Sequence, residues 1–115
     1  MQTQKQRDDR MAMERNLVSY LIRTAIEHGY ALTKVNDGEE IVQCTTEAEA
    51  MEAVFAVDES HIYFKHPEEP KGHCAFIVLG NSGWEAIADS SMGGKWDAVM
   101  AECDKHSDKL CEESV

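Results

Sequence analysis

The sequence predicts an α+β domain: an antiparallel β-sheet of about five strands with three helices packed on it, in the order αββαβββα. Three observations predict it. Cys74-Ala75-Phe76-Ile77-Val78-Leu79 is apolar at every position, too short for a typical helix and rich in strand-favouring residues. Two hairpin signals, Asn36-Asp37-Gly38 and Gly80-Asn81-Ser82-Gly83, sit between strand-like runs. Two longer segments, one near each end of the chain, carry apolar residues at helical spacing.

Along the chain, residues 1 to about 9 are polar and are expected to fray, with Asp8 or Asp9 capping the first helix. Leu17, Val18, Leu21, Ile22, Ala25 and Ile26 form its apolar stripe, and His28-Gly29 ends it, because glycine takes the left-handed cap conformation cheaply. Tyr30 to Val35 and Glu40 to Thr45 read as two strands of a hairpin. Thr46-Glu47-Ala48-Glu49 matches a capping box. It opens a short second helix with Ala48, Met51, Val54 and Phe55 on its inner face.

Ser60 to His66 alternates, with Ile62 and Phe64 on one face and His61, Tyr63 and Lys65 on the other. The two prolines of Pro67 to Gly72 mark a loop. The all-apolar strand follows. With no polar position it expects cover on both sides, Phe76 and Val78 on one, Ile77 and Leu79 on the other. Trp84 to Asp89 returns as the last strand, so the three strands after the second helix form a meander. After the loop Ser90 to Gly94, a third helix from Lys95 carries Trp96, Val99, Met100, Cys103 and Leu110 on one side. Residues 112–115 are a polar tail. At 115 residues the chain reads as one domain, 1–115.

Charge limits the functional classes. There are 22 Asp and Glu against 11 Lys and Arg, a net charge of −11. That repels nucleic acid and anionic membranes and favours a protein partner with a basic surface. A homodimer is also allowed. No apolar run approaches a membrane span, and no apolar core follows the N-terminal charges, which together predict a cytoplasmic protein. In that compartment Cys44, Cys74, Cys103 and Cys111 are expected to be thiols.

The acid is concentrated. Between Lys34 and Lys65 there is no Lys or Arg, while Asp37, Glu39, Glu40, Glu47, Glu49, Glu52, Asp58 and Glu59 all fall there. These eight residues are the candidate interaction surface, able to steer a basic partner or to imitate nucleic-acid phosphates. A solvated face explains the same pattern without a partner.

Catalytic motifs do not form. Gly80 to Gly83 is one residue short of a nucleophile elbow and joins two strands rather than a strand and a helix. Ser90 to Lys95 is glycine-rich ahead of a helix, but neither a phosphate-binding nor a dinucleotide-binding pattern is present. Cys103 and His106, three apart on a helix, can face one ion, but Cys111 lies about 12 Å further along the axis. The reading is therefore no catalytic residue, no cofactor and no metal ligand.

The runs Val35-Asn36-Asp37-Gly38-Glu39-Glu40, Thr45-Thr46-Glu47-Ala48, Phe76-Ile77-Val78-Leu79-Gly80-Asn81 and Ile87-Ala88-Asp89 carry a resemblance. In pattern they are similar to uncharacterised small α+β accessory proteins encoded by bacteriophages, prophages and plasmids. The pattern is an N-terminal helix, a DGEE-type hairpin, a short helix opening at Thr or Ser, an LGN-type turn and an IAD-type strand. It covers roughly residues 17 to 90. It implies a mobile-element accessory protein and assigns no residue a role. Two functional classes follow. The first is an accessory protein that binds another protein, as an inhibitor or a nucleic-acid mimic. The second is a small enzyme or ligand-binding domain with a pocket between sheet and helices.

Overall fold

In a computed structural model of the chain, which describes residues 3–113, the elements follow in the expected order αββαβββα. They are α1 (Gln4–Glu27), β1 (Ala31–Asn36), β2 (Ile41–Gln43), α2 (Glu47–Val54), β3 (Glu59–Lys65), β4 (His73–Val78), β5 (Ile87–Ser90) and α3 (Trp96–Glu113). The strands form one antiparallel sheet in the order β2-β1-β3-β4-β5, so the fold is α+β and β3 to β5 are a meander. None of the described helices is long and apolar enough to cross a membrane.

The first helix starts earlier than the sequence suggested. Its cap is Thr3, whose hydroxyl accepts the Gln6 N–H while the Gln6 side chain accepts the Thr3 N–H. This capping box with Gln in place of Glu outcompetes Asp8 and Asp9, which lie inside the helix. At the other end α3 runs through Glu113, so residues 112 and 113 are helical, and residues 114 and 115 lie outside the described chain. Gly29 does terminate α1, at φ +91°. A Cβ there would also stand 2.8 Å from His66 Nε2, so the position needs glycine twice over.

The helices cover one face of the sheet only. Along β4, His73, Ala75 and Ile77 are buried while Cys74, Phe76 and Val78 are half-buried. The two-sided burial expected for this strand is therefore corrected. Its apolar outer residues stay half-covered because they pack on neighbours within the sheet, the His61 ring lying 4.6 Å from that of Phe76. The core includes Leu17, Val18, Leu21, Ile22 and Ala25 of α1, Leu32 and Val35, Ala50 and Val54 of α2, Ile62 and Phe64, Ala75 and Ile77, and Trp96, Val99 and Cys103 of α3.

Two residues expected on inner helical faces are outside. Ile26 is exposed, and in α2 it is Ala50 and Val54 that are buried while Ala48 is exposed. Glu14, one turn before Leu17 and Val18, takes a place on the α1 stripe instead.

The last strand is shorter than expected. β5 begins at Ile87, and residues 79–86 form a long connection. Its two ends keep backbone bonds, Leu79 N–H to the Asp58 carbonyl and the Ala86 carbonyl from Val78 N–H, while two groups between them are taken by the helices. Gly80 N–H donates to Glu14 Oε2 at 2.7 Å, and Ser107 Oγ donates to the Trp84 carbonyl.

Candidate functional site

The eight carboxylates singled out from the charge map fall into two groups. The β1–β2 turn and the start of β3 lie at the same end of the sheet, since Asn36 pairs with His61 and Asn36 also pairs with Ile41. Asp37, Glu39, Glu40, Asp58 and Glu59 are thereby brought together. Glu39, Glu40, Asp58 and Glu59 are exposed. Asp37 is half-buried, and its Oδ1 accepts the N–H groups of Glu39 and Glu40 at 2.9 and 2.8 Å. Those two backbone bonds hold its carboxyl below the ordinary 3.8.

Glu47, Glu49 and Glu52 belong to α2, and two of them have work within the fold. Glu49 completes the capping box predicted at Thr46: the Thr46 hydroxyl accepts Glu49 N–H, and Glu49 Oε1 accepts Thr46 N–H, both at 3.2 Å. Bonds from Thr45 and Thr46 hold its carboxyl below 4.5. Glu47 ties α2 to α1. It accepts a hydrogen bond from the Ser19 hydroxyl and two from Arg23 Nε, at 3.0 and 3.2 Å. The Ser19 bond, with Arg23 behind it, depresses its pKa against the opposing pull of burial. Among the eight, only Glu47 has an ion-pair partner among the described residues.

The charge map singled out neither Glu14 nor Glu69, two acids that are built into the structure. Glu14 is 2% exposed, pairs with Arg10 at 3.5 Å and accepts Gly80 N–H. Its signal was its position on the apolar stripe of α1, where an acid must find partners to be buried. Beside it a groove of about 200 Å³ runs between α1, the turn after α2 and the end of β4. Arg10, Arg15, Phe55, Asp58, Leu79 and Gly80 line it, and the Arg15 guanidinium lies 4.5 Å over the Phe55 ring. Small-molecule sites typically enclose ~300–1,000 Å³, so this groove is small for a ligand.

Glu69 occupies the glycine-rich head of α3. Its Oε1 accepts the Lys95 N–H at 2.9 Å and the Tyr30 hydroxyl at 3.0 Å, while Oε2 lies 3.4 Å from His73 Nε2. Burial pushes the Glu69 carboxyl up, but the Lys95 and Tyr30 bonds and the neighbouring His73 and His66 outweigh it and hold the group below 4.5. Burial, then Glu69, push the Tyr30 phenol up to about 12. Gly94 makes room for this arrangement: at φ +61° a Cβ would stand 2.9 Å from Glu69 Oε1. The anion at this helix N-terminus is thus the chain's own carboxylate.

Cys103 and His106 do not converge. Cys103 is in the core, where burial pushes its thiol up to about 12. His106 stacks on Tyr20 with ring centroids 4.0 Å apart and places Nε2 2.5 Å from Asn16 Oδ1. Cys44 and Cys103 are buried and Cys74 is half-buried, all three as free thiols. Compared with protein-family models, with curated proteins and with solved structures, the chain matches none.

Proposed function

We propose that this chain acts by binding a protein with a basic surface, and that the acidic end of its sheet is the contact. One observation carries the reading. Asp37, Glu39, Glu40, Asp58 and Glu59 stand together on two adjacent segments, and none has an ion-pair partner among the described residues. Unpaired carboxylates at one end of a chain of net charge −11 repel one another, and a basic partner relieves that repulsion on contact. They also steer the encounter. Where the basic surface is one that contacts DNA phosphates, the chain acts as an inhibitor by occupying it. The resemblance to accessory proteins of mobile elements supports that version.

The test follows from the division of the acids. Glu39→Gln, Glu40→Gln and Asp58→Asn together remove three exposed charges and leave the capping box and the Glu47 ties intact. Partners are captured from host lysate on the immobilised wild-type chain, identified by mass spectrometry, purified and titrated against both proteins. The triple variant is expected to keep its melting temperature and to lose binding, chiefly in association rate, with wild-type binding weakening as salt rises. A purified partner that binds both chains equally and without salt dependence defeats the proposal.

A further inference from the structure

The face of the sheet that the helices leave open has a pattern of its own. Strand registers place Ile41, Asn36, His61, Phe76 and Asp89 in one row across all five strands. The next row is Gln43, Lys34, Tyr63 and Cys74. The centre is aromatic. His61 stacks on Phe76 and lies 6.4 Å from Tyr63, and Lys34 Nζ stands 5.0 Å over the Tyr63 ring. His61, Tyr63, Phe76 and Val78 are half-buried, and Ile41 is 54% exposed.

The charges that the strands themselves place on this face balance. Lys34 and Lys65 are the only lysines or arginines in the five strands, and Glu59 and Asp89 the only acids. All four belong to the open face by register and alternation. They are also polarised. Glu59 opens β3 and Lys65 closes it, ~20 Å apart at ~3.3 Å per residue.

Two copies of a chain with net charge −11 repel over most of their surface, so a surface on which they meet must be locally neutral. We infer that the open face pairs with the same face of a second copy, about a twofold axis that crosses the strands between His61 and Tyr63. That axis sets Glu59 of each copy over Lys65 of the other. It also sets the row of His61 and Phe76 over the row of Tyr63 and Cys74. Each contact is made twice, as an isologous interface requires. The stacked sheets then bury the aromatic centre in a layer ~10 Å thick. A different protein as the occupant requires neither local neutrality nor an acid end matched to a lysine end.

The size of the face sets the strength. Five strands ~4.8 Å apart and the length of β3 give a footprint of ~500 Å². Standard interfaces bury ~800 Å² per partner, so the pairing is weak and depends on concentration.

Self-association is read with no other protein present, so its failure is independent of the function proposed above. Sedimentation equilibrium on the full chain from about 10 to 500 µM spans the dissociation constants expected of such an interface. Wild type is expected to shift from monomer to dimer across that range. Phe76→Glu is expected to raise the dissociation constant at least about tenfold by placing a charge in the aromatic centre. Because Phe76 is half-buried, Lys65→Glu serves as a second variant at an exposed strand end. It weakens pairing alone, as Glu59→Lys does, and the double variant Glu59→Lys with Lys65→Glu restores it. A chain that stays monomeric throughout overturns the inference, as does a dimer that none of these substitutions moves.

Discussion

Glu69 connects three places that are far apart in the chain: the start of β1 through Tyr30, the start of β4 through His73 and the head of α3 through Lys95. A carboxylate suits that point because the N-terminus of α3 offers unsatisfied N–H groups and a partial positive charge. Tyr30→Phe isolates one strand of the network without creating a cavity. It is expected to cost about 1.5 kcal/mol in urea melts, the low end for a hydrogen bond to a charged group, because the carboxylate keeps its Lys95 bond. Tyr30→Phe as stable as wild type shows that the hydroxyl contributes nothing. Gly94 marks the same point from the other side, since any side chain there meets Glu69.

At the scale of the element, β4 shows how composition and burial part company. Its residues are all apolar from Cys74 to Val78, yet the strand alternates between a covered and an open face as a polar-patterned strand does. Substitutions along it should alternate too. Ile77→Ala, fully buried, is expected to cost about 3–4 kcal/mol, and Phe76→Ala about 1–2 kcal/mol, because Phe76 is only partly covered. Equal losses in paired urea melts contradict a one-sided sheet. The connection from β4 to β5 shows a similar effect. Buried Glu14 takes the Gly80 N–H and Ser107 of α3 the Trp84 carbonyl, and the strand read from Trp84 starts at Ile87.

For the whole molecule, the paired acids set the response to pH. Glu47, Glu49, Glu68, Glu69 and Asp37 all have carboxyls held below their ordinary values. A group whose folded pKa is depressed contributes stability above its unfolded value and loses it as pH falls through the folded one. His106 acts in the same direction: burial and then Lys109 lower it from 6.5, so the unfolded chain takes up its proton first. Stability is therefore expected to begin falling below pH 6.5 and to fall more steeply below 4.5. Thermal melts across pH 3 to 8 check this, and a melting temperature that rises on acidification through 4.5 shows that relief of the −11 charge outweighs the lost pairs. Glu47→Gln with Glu49→Gln should lower the melting temperature at neutral pH and flatten the acid limb. The two carboxylates that a charge map places with the working surface are in this respect part of the fold.

The sequence by itself determined the elements that rest on local chemistry. Glycine and Asx residues marked the turn after Asn36. Thr46 and Glu49 marked the head of α2, and Gly29 the end of α1. Alternation marked the inner face of β3. Each of these signals lies within a few residues of the feature it specifies, so the α+β class and its element order were legible. The candidate acidic end was legible in part, because turn residues cluster wherever their turn goes. What only the tertiary structure decided depends on partners distant in the chain. An apolar run cannot say how many of its faces are covered, since that depends on where three helices dock. A list of acids cannot say that Glu47 is tied to Ser19 and Arg23 while Glu39 is left in water, or that Glu14 is buried and Glu69 caps α3, because a carboxylate's role is set by the donors that reach it. The open face of the sheet, with its balanced charges and aromatic centre, exists only once β1, β3, β4 and β5 lie side by side in register.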